Sequence, residues 1–477
     1  MKSTTSRFAL VILLFSVLFY SCSNEDDNNP DEVDFSALIE ALTDGSSKTW
    51  KIQSAQLTND NTNDTDGLFL SDTYNLNDDE FVFSSSSDSQ VDLYWRQGFS
   101  FNNNAGDIGS FLSDIRVSPS QIVYQIGNAE DPLVDPSRGS IIRYFEETNI
   151  IELQIIYPNN ALMKFTLTPK LSEDYHTPPN SINQLTEVFS TSPAVFAAGF
   201  KVSQTRQQIY LSNLGWPGDP AERDPFVLRY DLSNQQEISR TFFDEDDVFM
   251  HIELVEEGVL NLGGRNHQLF DYSLESQINY SVPDLLFSYG TTAYNNDIYV
   301  FGGWLTSPNQ SGIVGKVEPG SSQLEILTNL PKARRDSDGE IIDDLLYVFG
   351  GRPAEDGEAP GSDDLFVYDL NTGSIDQLTM PIKLTWVRTA VKDAYIYVTG
   401  LLPIDADGDG TFEDNRYYLG VYDTVSGDWQ EIGLDAAEFQ DNIISNIYIA
   451  DNKLYMVVWK NTPVVGERLT TVYTTDL

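Results

Sequence analysis

The chain has few cysteines, few histidines and few basic residues. Its 477 residues include one Cys, three His and 28 Lys and Arg, against 73 Asp and Glu, so the formal charge is −45 at pH 7. A single Cys excludes an internal disulfide and a Cys-rich zinc cluster. The shortage of cations excludes nucleic acid as a partner, because phosphate contacts need Lys and Arg, and it excludes charge-driven docking on an anionic lipid surface.

Apolar and aromatic side chains are abundant. Hydrophobic residues make up 40% of the chain, with 24 Tyr and 26 Phe among them. This content is enough for a large core and excludes disorder across the whole chain. The length predicts roughly two or three domains.

The first 21 residues are predicted to be a secretion signal rather than part of a fold. Two basic residues precede an apolar run from residue 8 to residue 19 that is short for a membrane span. Ser21 and Cys22, the only Cys, follow. This order resembles a bacterial lipoprotein signal peptide, which implies cleavage before Cys22 and acylation of that residue, although Tyr20 is bulkier than the pattern usually allows. The alternative is an ordinary secretory signal with an incidental Cys.

Residues 22–33 are predicted to be an acidic tether, because this polar segment cannot bury a core. An acidic run directly after the acylated Cys resembles the export tag of lipoproteins displayed on the outer face of the Gram-negative outer membrane. The sequence therefore predicts a lipid anchor in the outer membrane and exposure at the cell surface. A periplasm-facing orientation is the alternative.

Residues 34–171 are predicted to form a small antiparallel β-domain that closes as a barrel. Apolar residues at helical spacing predict one helix over residues 34–45, and the alternating segments after it predict a meander with a tight turn at residues 158–160. The short helix and the segment Gly-Ser-Ser-Lys-Thr-Trp-Lys resemble the start of lipocalin-like domains in secreted bacterial lipoproteins. Trp50, in that segment, is interpreted as part of the core and not as a ligand contact. Strands are predicted at residues 90–101, 121–126, 140–147, 150–157 and 161–167.

Residues 172–182 contain Pro178-Pro179 and lack apolar periodicity, so they are predicted to be an interdomain linker.

Residues 183–477 contain a repeated phrase. The full copies are Ile-Tyr-Val-Phe-Gly-Gly from Ile298 and Leu-Tyr-Val-Phe-Gly-Gly from Leu346. A second phrase, Val-Tyr-Asp followed by a turn, ends at Asp369 and again at Asp423. A period near 50 residues that combines a strand, a Gly-Gly pair, a further strand and a turn is typical of a propeller blade. Degraded copies of the first phrase begin at Ile209, Val259, Ile396 and Leu454.

These phrases resemble kelch repeats, which implies a kelch-type β-propeller over residues 183–477. The Gly-Gly strands or their equivalents, taken as the inner strands near residues 210, 260, 299, 347, 397 and 455, give six blades. Residues 183–189 are predicted to pair with the strand near residues 469–476 and to close the ring, which removes exposed sheet edges. The predicted fold class is all-β, with a small antiparallel β-barrel-like domain before a six-bladed propeller. A non-propeller β-sandwich is the alternative for the second domain.

The acidic loop at residues 405–414 predicts a structural calcium site between the second and third strands of blade five. Three alternating Asp residues followed by Gly match the first half of an EF-hand-type loop, although the helical frame is absent and Arg416 stands at the twelfth position. The alternative is a solvated acidic loop. The predicted oxygen ligands are Asp405, Asp407, Asp409, Thr411, Glu413 and Asp414.

Familiar catalytic arrangements do not fit the composition. Kelch propellers that resemble galactose oxidase need a Cys-Tyr crosslink and His ligands, whereas the predicted propeller holds no Cys and only His251 and His267. No Gly-x-Ser-x-Gly elbow is present. Some kelch propellers act on sialic acids as mutarotases, and no motif here selects that activity.

Four side chains are predicted to share the propeller face on which the loops between second and third strands open. Indole rings and guanidinium groups suit sugar rings and carboxylates, although packing between blades is the alternative for each residue. The candidates are Trp216, Arg265, Trp304 and Arg352.

The predicted function is a binding or interaction module for glycans or another envelope protein. One alternative is a carbohydrate-active enzyme, for example one similar to sialic-acid mutarotases, that uses carboxylates on the propeller face. A structural scaffold is the other. A pair of buried carboxylates at the propeller mouth favours the enzyme, and an aromatic face without such a pair favours binding.

Overall fold

A computed structural model describes the chain from Ser36 onward, with gaps. The predicted signal peptide, Cys22 and the tether therefore lie outside the described residues. Across the segments that are described, no helix is both long enough and apolar enough to cross a membrane. These segments are residues 36–58, 70–71, 74–75, 80–87, 90–96, 116–118, 121–124, 140–156, 162–171, 174–191, 199–204, 206–213, 226–242, 251–263, 266–282, 287–294, 296–306, 309–353, 361–404, 414–439, 442–450, 452–460 and 469–477.

The N-terminal part contains one helix and one large antiparallel sheet. Helix α1 spans Ser36–Thr43 and ends where Asp44 and Gly45 adopt positive φ angles of 52° and 79°. The strands are β1 Ser47–Thr58, β2 Leu70–Ser71, β3 Tyr74–Asn75, β4 Glu80–Ser87, β5 Gln90–Arg96, β6 Arg116–Ser118, β7 Gln121–Tyr124, β8 Ser140–Phe145, β9 Ile150–Ile156 and β10 Leu162–Pro169.

Eight of these strands form a sheet in the order β5-β4-β1-β10-β9-β8-β7-β6, and β2 pairs only with β3. Each of the five predicted strand segments contains a strand, which confirms those predictions. Within the described segments no pairing joins the end strands β5 and β6, so barrel closure stays a prediction.

Trp50 lies in the core of this part, as the sequence predicts. Its side chain is fully buried, and its Nε1 donates a hydrogen bond of 3.0 Å to the carbonyl oxygen of Leu42 at the end of α1. The rings of Phe83 and Tyr144 contact it edge-on, at centroid distances of 6.5 and 6.4 Å. Trp50 therefore fixes the helix against the sheet.

The rest of the described chain is a series of mostly antiparallel strands with a 3₁₀ turn at Ala437–Phe439. The strands are β11 Ser181–Ile182, β12 Thr186–Thr191, β13 Phe200–Ser203, β14 Gln208–Asn213, β15 Phe226–Asp231, β16 Gln236–Phe242, β17 His251–Val255, β18 Gly258–Gly263, β19 Asn266–Phe270, β20 Gln277–Ser281, β21 Phe287–Tyr294, β22 Asp297–Thr306, β23 Asn309–Gln310, β24 Ile313–Val317, β25 Glu325–Asn329, β26 Arg334–Arg335, β27 Asp338–Ile342, β28 Leu345–Phe349, β29 Arg352–Pro353, β30 Ser362–Asp369, β31 Ile375–Lys392, β32 Tyr395–Ile404, β33 Asp414–Asp423, β34 Trp429–Glu431, β35 Gly433–Leu434, β36 Asn442–Ala450, β37 Lys453–Lys460 and β38 Thr470–Asp476.

These strands pair as six four-stranded units. Strand β31 is 18 residues long and serves two of them, because its first half pairs with β30 and its second half with β32. From first to fourth strand the units are β13-β14-β15-β16, β17-β18-β19-β20, β21-β22-β24-β25, β27-β28-β30-β31, β31-β32-β33-β34 and β36-β37-β38-β12.

The first strands of the six units contact one another in a closed cyclic order, β13-β17-β21-β27-β31-β36 and back to β13. Sheets that radiate from a common axis in this way define a β-propeller. The prediction of an all-β chain with a propeller is therefore confirmed.

Ring closure uses both ends of this region. Strand β12 pairs with β38 from Thr186 opposite Thr474 to Thr191 opposite Thr470. The predicted pairing of the two segments is confirmed, and the sixth unit is complete only when an N-terminal strand joins three C-terminal ones.

The prediction that the Gly-Gly strands are the inner strands is wrong. The strands that contain the repeated Tyr phrase, such as β22 and β28, are second strands, and each has another strand on its axial side. The inner strands lack the apolar pattern because they carry polar residues such as Lys201, Glu253 and Glu340.

The glycine pair at Gly350 and Gly351 ends strand β28 against neighbouring backbone. Both residues have positive φ, 55° and 87°, which side chains disfavour. A Cβ atom on Gly351 would lie 2.6 Å from the carbonyl oxygen of Arg335. The pair therefore lets Arg352 approach the connection that leads into β27.

The Val-Tyr-Asp phrase ends third strands. Asp369 Oδ1 accepts hydrogen bonds from the amides of Asn371 and Thr372 at 2.8 and 3.0 Å, which closes the following turn. The Thr372 amide in particular holds the pKa of Asp369 below its ordinary value. The repeated Asp is thus a turn residue.

Residues 174–182, here called the strap, pack on the propeller. His176 Nε2 lies 2.6 Å from the Tyr397 hydroxyl, and β11 pairs in parallel with β35. Ile182 is buried in the core around Ile432. At the other end of the strap, Asp174 forms an ion pair with Lys51 of β1. The predicted linker segment is therefore held by specific contacts with both parts.

Candidate functional site

The first strands place a set of mostly polar side chains at one register around the propeller axis. Each lies opposite the repeated Tyr position of its second strand, as Glu340 lies opposite Tyr347 and Lys201 opposite Tyr210. We call this register the lower layer. Its members are Lys201, Glu253, Thr292, Glu340, Ala390 and Tyr448.

A second register, the upper layer, lies two residues earlier in the first strands and includes His251, Asp338 and Arg388. First and second strands are antiparallel, so each first strand begins on the side of the propeller where its second strand finishes. The upper layer lies early in the first strands and is therefore nearer this side, which carries Arg352 and the connection after Ile404. We call this end the loop face.

An ion pair dominates one side of the lower layer. Lys201 Nζ lies 2.9 Å from Glu253 Oε2, and the Glu253 side chain is only 3% exposed. Thr291 Oγ1 donates to the other carboxylate oxygen at 2.8 Å. Burial opposes the charge of Lys201, but Glu253 and then Glu340 keep its pKa above the ordinary value.

Glu340 occupies the opposite side of the lower layer. Thr292 Oγ1 donates to its Oε2 at 2.8 Å, and Thr389 Oγ1 donates to its Oε1 at 3.4 Å. Burial raises the pKa of Glu340 to about 8, Lys201 opposes this rise, and Asp338 adds to it. Glu340 is therefore mostly protonated at neutral pH.

Asp338 is the carboxylate of the upper layer. Its Oδ2 accepts a hydrogen bond of 3.1 Å from the amide of Thr389, whereas its Oδ1 is buried without a hydrogen-bond partner. Burial raises the pKa of Asp338 to about 6, and Arg388 provides the main opposing charge. At neutral pH the group is mostly ionised.

Two further upper-layer residues, Arg388 and His251, hold buried polar atoms that lack partners, and so does Tyr289 beside His251. Arg388 donates from Nη1 to the Val387 carbonyl at 2.7 Å, but its Nε makes no bond. His251 stacks on Tyr289 at 5.6 Å, and neither His251 Nε2 nor the Tyr289 hydroxyl is bonded. Burial, with Arg388 nearby, lowers the His251 pKa well below its ordinary value, so this ring is neutral.

Such a concentration of unpaired buried atoms is unusual, because folded proteins pair nearly all buried polar groups with protein or water. The upper layer therefore offers donors and an acceptor that water or a ligand can satisfy.

Arg352 extends the site onto the loop face. Its Nε donates to Thr385 Oγ1 at 3.0 Å and lies 3.5 Å from Asp336 Oδ2, and its side chain is 30% exposed. The guanidinium lies 5.9 Å from the ring of Trp386. Asp336 and Trp386 both have positive φ, 57° and 52°, a strained backbone that is often found at functional sites.

The structure describes the four predicted ligand residues to different extents. Arg352 lies at the loop face beside the upper layer. Trp304 is part of β22 and pairs with Phe287, but the structure does not describe its side chain. Trp216 and Arg265 lie outside the described residues.

Most of the predicted calcium loop also lies outside the described residues, namely Asp405, Asp407, Asp409, Thr411 and Glu413. Asp414 begins β33 and pairs with Ile404 of β32. The loop therefore joins a second and a third strand, as predicted. Within the part of the chain that is described, no three His, Cys, Asp or Glu residues are grouped so that they could hold a metal ion.

The axial residues were not predicted from the sequence. A usable signal exists, because Glu253, Thr292, Glu340 and Tyr448 each stand seven residues before the repeated Tyr position of their own unit. Polar residues at this fixed spacing, in strands otherwise rich in apolar residues, mark the axis.

Comparisons with known proteins do not assign this chain to a family. No family model and no curated protein matches the chain. The solved structure of YjhT has a TM-score of 0.44 and 11% identity, over 60% of this chain and 95% of YjhT. The Pan2 WD40 domain of Neurospora crassa has a TM-score of 0.40 and 10% identity, over 62% of this chain and 97% of that domain. The propeller assignment therefore rests on the strand order.

Proposed function

We propose that the protein is a lipid-anchored envelope protein whose kelch-type propeller binds a saccharide at the loop face. The observation that supports this proposal is the group of buried, unpaired polar atoms in the upper layer, led by Asp338 Oδ1 and Arg388 Nε. Sugar hydroxyls both donate and accept hydrogen bonds, so they suit a site that presents acceptors and donors side by side. The Trp386 ring beside Arg352 adds a flat apolar surface for a sugar ring.

Anchoring is the second part of the proposal. Acylation of Cys22 would hold the protein in the outer membrane, and the acidic tether after it would export the chain to the cell surface. Cys22→Ala should release the protein from the membrane fraction, and protease should degrade the wild type on whole cells. Unchanged membrane partitioning of the variant would contradict the anchor, and full protection of the wild type would indicate the periplasm-facing orientation.

A glycan array probed with the full-length protein in detergent tests the binding function. Asp338→Asn keeps the shape of the side chain but removes the carboxylate, so we expect about tenfold weaker binding or more. Asp376→Asn, at an exposed position on the outer half of β31, is the matched control and should bind like the wild type. If no glycan binds the wild type, or if Asp338→Asn binds as well as the wild type, the proposal is wrong.

A carbohydrate-active enzyme is the second candidate, and one observation favours it. Asp338 and Glu340 are neighbouring buried carboxyls with raised pKa values of about 6 and 8, so one is mostly ionised and the other protonated at neutral pH. Such a pair can supply a general base and a general acid. NMR spectra of the sugars found on the array, recorded over time with the protein, distinguish the two functions. Turnover that is lost in Glu340→Gln while binding remains would favour the enzyme. A scaffold role would be favoured if the protein neither binds nor converts sugars.

A further inference from the structure

The guanidinium of Arg352 has an open end. The bond to Thr385 and the ion pair with Asp336 both use its Nε. Its two terminal nitrogens make no hydrogen bond with any described residue, and the side chain is partly exposed. A guanidinium that is fixed at Nε and open at its terminal nitrogens presents the edge that binds carboxylate, sulfate or phosphate oxygens in pairs.

A second guanidinium, that of Arg388, lies on the strand that Arg352 contacts, three residues after Thr385. The amide of Val387, next to Arg388, donates a hydrogen bond of 3.1 Å to the carbonyl oxygen of Asp336. Burial raises the pKa of Asp336, and the charges of Arg352 and Arg388 both oppose that rise. Arg388 is 6% exposed, and its Nε is buried without a partner. An incoming anion would therefore meet a second positive charge with unused hydrogen-bonding capacity.

The nearby carboxylate does not block an anion. Asp336 Oδ2 lies 3.5 Å from the Nε of Arg352, and the Nε of Arg335 lies 3.8 Å from the same oxygen. Its negative charge is thus offset by surrounding guanidinium groups. In a chain of charge −45, this arrangement is a local exception to the acidic surface.

We propose that the loop face carries an oxyanion subsite formed by Arg352 and Arg388, and that the saccharide ligand is acidic, with its carboxylate or sulfate on the open edge of Arg352. This inference rests on the proposed binding function and narrows its ligand. The ring that bears the anion would lie against Trp386, and its hydroxyls would reach Asp338 Oδ1. A neutral saccharide would leave the open edge of Arg352 without an oxyanion and would bind more weakly.

The test is isothermal titration of the full-length protein in detergent at low salt with three oligosaccharides of equal length. One carries hexuronate carboxylates, one carries sulfate esters, and one is neutral. We expect at least one acidic oligosaccharide to bind about tenfold more tightly than the neutral one or better, and its affinity to fall as salt is raised. The two acidic probes show which oxyanion the subsite takes.

Two variants separate charge from shape. Arg352→Ala should abolish the preference for the acidic oligosaccharide while neutral binding persists, and Arg352→Lys should restore only part of it, because a lysine cannot bind an oxyanion in pairs. Arg240→Ala, on the outer strand β16, is the control and should keep the preference. Melting curves establish that each variant folds.

Equal affinity for acidic and neutral oligosaccharides would overturn the oxyanion subsite and leave the proposed binding function standing. A preference for the acidic oligosaccharide that survives Arg352→Ala in a folded variant would also overturn it. Failure of all three to bind, with other glycans bound on the array, would show that the ligand is not of this class. Failure of every glycan would contradict the binding function itself.

Discussion

Glu340→Gln should remove a large part of the pH dependence of stability. The substitution keeps the size of the side chain and can retain hydrogen bonds with Thr292 and Thr389. It removes a carboxyl whose pKa is raised by burial from an ordinary value of 4.5 to about 8. Between these two values the folded protein keeps a proton that the unfolded chain has released. The free energy of unfolding therefore falls as the pH rises through this window.

The difference between the two pKa values sets the magnitude. At 1.36 kcal/mol for each pKa unit, it corresponds to about 5 kcal/mol of stability lost between pH 4.5 and pH 8. The variant should unfold like the wild type near pH 5 and should be several kcal/mol more stable near pH 8. Asp338 contributes in the same direction at lower pH, because its pKa is raised to about 6.

Differential scanning calorimetry from pH 5 to pH 8 measures the effect. Glu325→Gln, an exposed position on the outer strand β25, is the matched control and should follow the wild type at every pH. Parallel stability curves for the wild type and Glu340→Gln would refute the interpretation that Glu340 is buried with a bound proton on the propeller axis.

Three further predictions address closure, the strap and calcium. Removal of residues 470–477 opens the ring between β12 and β37, so we expect aggregation on gel filtration; a monomer with an unchanged melting temperature would contradict closure by β38. Ile182→Ala, which trims a side chain 2% exposed, should cost about 2–4 kcal/mol in denaturant unfolding, whereas Ile278→Ala, at a side chain 61% exposed, should cost almost nothing; equal costs would show that the strap is not part of the core. Calcium should raise the melting temperature of the wild type more than magnesium does, and should have no effect on an Asp407→Ala, Asp409→Ala variant; identical responses would make the loop a solvated turn.

The second strands of the propeller were predictable because they are buried on both faces. Their Tyr-Val-Phe phrases are continuous apolar runs that end in Gly-Gly, so their period is visible in the sequence. The pairing of β9 with β10 was predictable for a similar reason, since turn residues separate two alternating segments; the predicted turn at residues 158–160 itself lies outside the described residues.

The first strands were not recognised because their environment is mixed. Their neighbours along the axis are other polar side chains, so Lys201 and Glu253 satisfy each other across units that are 52 residues apart in the chain. The local sequence pattern does not indicate such a pair. Only the register of the first strands against the second strands, which contain the repeated Tyr phrase, indicates it. The packing of the strap on the propeller was not predicted for the opposite reason. Its prolines predict an interdomain linker and give no indication that one buried residue, Ile182, and a few backbone hydrogen bonds hold it on the propeller.

A crystal structure of the protein with a saccharide found on the array tests the central claim most directly. The account predicts the sugar on the loop face, with a hydroxyl within hydrogen-bond distance of Asp338 Oδ1 and an acidic group on the terminal nitrogens of Arg352. A sugar bound on the outer strands, at the opposite end of the propeller or on the N-terminal sheet, with the upper layer filled by water alone, would contradict it.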